Sequence, residues 1–165
     1  MKKILAFLAI SMTASYALAD APITGNVQSR CVITTDTPGV YGNPNAYTLT
    51  TSPSDGGVLP IIRFDVTLAD AYYAQVTTPT EFESSPSLSD TVTWTGTTTV
   101  SSVSDATNMA DYETNKTSFG ATTQYDLTAT GSTWFKSTSV ATYGGNKALP
   151  GGQYSAVVEA KCIAQ

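Results

Sequence analysis

Two cysteines and no histidine bound the chemistry open to this 165-residue chain. Without histidine there is no imidazole general base, no usual catalytic zinc ligand, and no Ser-His-Asp or Cys-His arrangement. No Walker A or GxGxxG loop occurs either. The reading is therefore that the protein is not an enzyme and holds no cofactor or metal. Glu81 and Glu83 in "TEFES" would share one side of an extended chain, but charges at period two mark a wetted face more often than a glycosidase acid pair. The oxygens of Asp105, Asn108, Asp111, Glu113 and Asn115 could gather round calcium; no EF-hand spacing is present, and they read as a hydrated loop. Two adjacent aromatic pairs, Trp134–Phe135 and Tyr72–Tyr73, point to opposite faces of an extended chain, so one member of each could form an aromatic surface for sugar rings or another subunit. Cys31 and Cys162 are the remaining reactive groups.

The elements that must position these residues begin after an export signal. Residues 1–19 combine Lys2 and Lys3, an apolar run from Ile4 to Ala14 too short to span a bilayer, and the small-residue site Ala17-Leu18-Ala19. Cleavage there leaves 146 residues starting at Asp20, enough for one domain with a full core. Removing Lys2 and Lys3 from the eight basic residues leaves six against 13 acids, a net charge of about −7. That balance disfavours nucleic acid or an anionic membrane as partner. In an oxidising compartment Cys31 and Cys162 are expected to form a disulfide.

Thr and Ser dominate, and Gly and Pro punctuate the chain at intervals, the profile of short strands joined by turns. In "VLPIIRFDVTL" the apolar residues Val58, Ile62, Phe64, Val66 and Leu68 alternate with Arg63, Asp65 and Thr67, so one face is buried and one wet. The same pattern predicts strands in "NAYTLTT", "AYYAQVTT", "LSDTVTWTG", "SFGATTQYDLTA" and "GGQYSAVVEAKCIAQ". Ser104 to Thr117 is the one place for a short helix or long loop. The expected fold class is all-β, an immunoglobulin-like antiparallel β-sandwich, with a closed barrel as the alternative.

Tyr154, Ala156, Val158, Ala160 and Cys162 share one face of the last predicted strand; Ile23, Val27, Cys31 and Ile33 share one face of the first. Two inward cysteines require those strands to lie within bonding distance. Residues 20–30 then continue the first strand beyond the bond, with apolar Ile23 and Val27 flanking Gly25. They either fold back as an edge strand or add a strand to another molecule, where Gly25 admits a close backbone approach.

"ITGNV" (Ile23 to Val27), directly after the cleavage site, resembles the "VTGQV"-type opening of the spore-coat-U-like, or archaic chaperone–usher, pilins. "LPGGQYSAVVEA" (Leu149 to Ala160) is similar to the Pro/Gly-then-Tyr entry to their alternating last strand. The resemblance implies an incomplete immunoglobulin-like domain completed by a neighbour's N-terminal extension, which builds a fibre for adhesion or biofilm formation. It implies Ala21, Ile23, Gly25 and Val27 as donor-strand residues, and Tyr154, Ala156 and Val158 as lining the receiving groove. The partners would be other copies or sister subunits, a periplasmic chaperone and an outer-membrane usher. The protein would be periplasmic in transit and finally extracellular, with residues 1–19 as signal, 20–30 as donor extension and 31–165 as sandwich. The competing reading is a monomeric secreted or periplasmic carbohydrate-binding module using Trp134, Phe135, Tyr72 and Tyr73.

Overall fold

A computed structural model describes residues 30–67 and 71–165. Residues 1–19, expected as an export signal, the expected donor positions Ala21, Ile23, Gly25 and Val27, and Leu68 lie outside them. The described chain is all-β. It comprises β1 (Arg30–Thr37), β2 (Gly42–Asn45), β3 (Thr48–Thr50), β4 (Ile61–Thr67), β5 (Tyr72–Thr77), β6 (Val92–Val103), β7 (Thr117–Phe119), β8 (Thr122–Leu127), β9 (Gly131–Tyr143) and β10 (Glu159–Ala164). The only helical pieces among the described residues are two short 3₁₀ turns, and no helix there is long and apolar enough to cross a membrane.

These strands form two antiparallel sheets, with the order β1-β4-β9-β3-β2 and β6 on the other side of β9 in the first, and β10-β5-β8-β7 in the second. The two inner faces follow from the period-two pattern. Ile62, Phe64 and Val66 of β4 and Phe135 of β9 pack against Tyr72, Ala74 and Val76 of β5 and Tyr125 and Leu127 of β8. Phe135 meets Phe64 edge-on at 5.3 Å and Tyr125 at 4.4 Å between ring centroids. Each such fully buried side chain contributes about 1.5–3 kcal/mol, and the aromatic geometry adds to that.

The alternation in β4 and β5 matches the sequence expectation, and the turn at "SPSDGG" is present as a 3₁₀ turn ending on Gly56 at φ 80°. Other elements differ. "SFGATTQYDLTA" is a hairpin, not one strand: Gly120 turns the chain at φ 59°, leaving Phe119 exposed on the short β7. In "LSDTVTWTG" pairing starts only at Val92, beyond Leu88, and continues through the Thr-rich stretch to Val103. The 13-residue β9, the spine of the first sheet, has Thr133, Ser137 and Ser139 at buried positions. Their hydroxyls are paired inside: Ser137 Oγ with Thr98 Oγ1 at 2.9 Å, and Ser139 Oγ with the Tyr41 hydroxyl at 2.8 Å. Tyr125 donates to the Thr98 carbonyl at 2.7 Å. Among the described residues no buried side-chain nitrogen or oxygen lacks a partner, which is why polar residues are tolerated there.

The segment Ser104–Lys116 is a string of turns, not a helix, and it caps one end of the core with Met109 and Tyr112. The Tyr112 hydroxyl accepts the backbone N–H groups of Thr128 and Ala129 at 3.1 and 2.9 Å.

Candidate functional site

β1 and β10 are the outermost strands of their respective sheets on the same side of the molecule. β1 is hydrogen-bonded to β4, and β10 to β5, each along one edge. The Cys31–Cys162 disulfide crosses the seam between them, with the two Cα atoms 6.4 Å apart. Both cysteines were expected to point inward, and the register shows it: Cys31 stands opposite buried Val66, and Cys162 opposite buried Ala74.

Beyond the bond the seam opens. Ile33 and Thr35 stand opposite Phe64 and Ile62 and so face the core, yet Ile33 is 37% exposed while Phe64 is 0%. Val158, Ala160 and Cys162 likewise contact the core cluster and are only partly buried. In a closed sandwich such positions are covered by a neighbouring strand. Of these, Thr35 and Val158 line a groove of about 460 Å³ running between the end of β1 with the following Pro38–Tyr41 and the segment Tyr154–Val158, floored by Ile62 and Ser139. Among the described residues, none that lines it is charged. Val40 and Val157, about half exposed, form apolar rims. Burial raises the Tyr41 hydroxyl above its ordinary pKa, against the opposing effect of its hydrogen bond to Ser139.

Tyr154, Ala156 and Val158 were expected on a regular last strand. The structure brings them to the groove wall but not into a strand: β10 starts only at Glu159. The cause lies in their neighbour. β5 ends at Thr77 opposite Glu159, Thr78 bonds instead to Ala121, and Pro79 has no N–H to donate. Upstream of Glu159 the wall is held by one bridge, Ser155 with Ser84, with the Ser155 N–H donating to the Ser84 carbonyl at 2.9 Å. Tyr154 braces it further by stacking on Phe82 at 5.0 Å, which packs on Trp94 at 4.7 Å, while its hydroxyl donates to the Pro150 carbonyl at 2.7 Å. Half-buried and exposed side chains begin to alternate only at Ala156; Tyr154 and Ser155 are both half-buried.

The four aromatics expected to share a surface do not. Tyr72 and Phe135 are core residues. Trp134 lies on the outer face of the first sheet beside Arg63, and Tyr73 on the outer face of the second opposite Asp126 and Ile163. Trp134 is also occupied: its indole N–H donates to Asp36, and the Arg63 guanidinium sits 5.9 Å from the ring centroid. Arg63 is in turn paired with Asp65 at 3.0 Å and Asp36 at 3.4 Å. Glu81 and Glu83 lie in the irregular segment after β5, not on a strand. In the 104–117 segment Asp105 and Asp111 serve local turns, accepting the Thr107 and Asn108 N–H groups and Asn115 Nδ2 respectively, while Glu113 ties the segment to β6 by accepting the Val100 N–H.

Sequence reasoning did not single out Thr35, Val40, Tyr41 and Val157 as groove residues. For Thr35 the signal was present in the odd-numbered face of Cys31 and Ile33; Val40, Tyr41 and Val157 reach the groove through irregular backbone that no periodicity encodes. Compared with family models, with curated proteins and with solved structures, the chain gives no match in any of the three.

Proposed function

We propose that the protein is a structural subunit of an extracellular fibre, assembled by donating residues 20–29 of one copy to the open groove of the next and serving adhesion or biofilm formation. The observation that carries this reading is the seam between β1 and Tyr154–Ala160, where core-facing Ile33 is 37% exposed and an uncharged groove opens two residues on, at Thr35. An added strand would gain backbone hydrogen bonds along the edge of β1 that no other described strand pairs and bury its alternate side chains on that floor. The segment Ala21–Ser29 carries no charge, and Ile23, Gly25 and Val27 recur at the period an inserted strand needs. The domain would then be an incomplete immunoglobulin-like sandwich. Head-to-tail contacts of this kind do not close and so propagate into filaments. The export signal and the disulfide fit a periplasmic passage, where a chaperone would shield the groove before an usher secretes the subunit. Mature protein run unheated on an SDS gel tests the reading: a ladder that collapses to monomer when residues 20–29 are deleted supports it. A compact monomer indifferent to that deletion refutes it.

A further inference from the structure

We infer that the Cys31–Cys162 disulfide is the end-stop of the groove, fixing how far a donated strand enters and keeping the chain's own extension out. This rests on the strand-donation reading. A strand lying between two others holds its neighbours about 9.5 Å apart, twice the inter-strand spacing. At the disulfide the two Cα atoms are 6.4 Å apart, so no backbone passes between the walls there. The groove opens by Thr35 on one wall and Val158 on the other, each four residues from its cysteine, and continues to Val40 and Tyr154.

Direction follows from the same bar. β1 runs from the bond toward the groove, so Arg30, the point at which the preceding chain joins, lies at the barred end, one residue before the bonded Cys31. A head-to-tail neighbour must therefore enter at the other pole, by Val40 and Tyr154, with its N-terminus advancing toward the disulfide. The wall Tyr154–Val158 is five residues long, as is Ile23–Val27. The end-stop thus sets Ile23 beside Thr35 and Val158, Val27 beside Val40 and Tyr154, and Ala21 at the narrowing by Ile33 and Ala160. Gly25 falls at the middle of the groove.

A diazirine leucine analogue, close to isoleucine in size, placed at position 23 or 27 of the full mature chain tests this, using mixed isotopically heavy and light copies and mass-spectrometric mapping. Heavy–light crosslinks from 23 to the peptides holding Thr35 or Val158, and from 27 to those holding Val40 or Tyr154, are expected. The reverse assignment, or crosslinks from 23 to Ile163–Gln165 past the bond, overturns the end-stop while leaving strand donation standing. Crosslinks only within one copy, or none reaching the groove, refute both. In the Cys31→Ala/Cys162→Ala double variant the crosslinks from 23 should spread past Ile33 and Ala160; an unchanged pattern in that variant, folded, overturns the end-stop. If the variant does not fold, the map from the disulfide-bonded protein decides.

Discussion

Ile33→Ala is the substitution that reads the open seam most clearly. Ile33 faces the core opposite Phe64 but is 37% exposed, whereas Ile62, one strand away on the same face, is 6% exposed. Truncation to alanine removes three carbons, worth about 2.4 kcal/mol if fully buried at ~0.8 kcal/mol each. With only about two-thirds of Ile33 covered, and no enclosed cavity left behind, the cost in the isolated subunit falls to about 1.5 kcal/mol. Ile62→Ala should cost about 3–4 kcal/mol, because transfer and cavity terms both apply. Denaturant unfolding of each variant at subunit concentrations too low for assembly gives the comparison. In assembled material, where an inserted strand would cover Ile33, the same truncation should approach the cost at Ile62 and lower the dissociation temperature. Equal costs for the two variants in the isolated subunit would mean that the seam is already closed, and the reasoning would fail.

Other consequences are independent of that comparison. Val27→Asp should abolish the SDS-resistant ladder and leave the subunit's unfolding midpoint unchanged, because a carboxylate would enter a groove with no charged lining residue to pair with it; gel and circular dichroism together decide it. The disulfide spans 131 residues, so reducing it should lower stability by about 5 kcal/mol in the chain-entropy model, seen as a large fall in unfolding temperature under reductant. Burial, aided by the Glu113 charge, raises the Tyr125 hydroxyl above its ordinary value of 10.0. Its stabilising contribution is complete below that value and is lost as pH rises beyond it. Stability should therefore drop above pH ~10, and less steeply in Tyr125→Phe, as urea titrations across pH would show.

The two halves of the core differed in how plainly the sequence announced them. β4 and β5 were legible because Ile62, Phe64, Val66, Tyr72, Ala74 and Val76 occupy every second position without interruption. β9 was not, since Thr133, Ser137 and Ser139 take inward places that only tertiary hydrogen bonds make affordable. Gly120 looked like a residue within a strand, and only its left-handed backbone reveals the hairpin. Tyr154, Ala156 and Val158 reached the groove, together with Ser155 and Val157, but lost their ladder, because the strand that would pair with them ends before Pro79. The bond between Cys31 and Cys162 was readable from there being two cysteines in a chain expected to be exported, and their inward facing from residue parity. Its position at the closed end of a groove was not, since that depends on which edges the described strands of the two sheets leave without a partner.

Amide hydrogen exchange at Ala156–Val158, and at those amides of Ile33–Thr37 that do not bond to β4, followed as protein concentration is raised, bears most directly on strand donation. The account requires fast exchange in the dilute subunit and slow exchange once copies assemble, with protection lost again when residues 20–29 are deleted. Protection that is already complete at the lowest concentration, and survives that deletion, would contradict it.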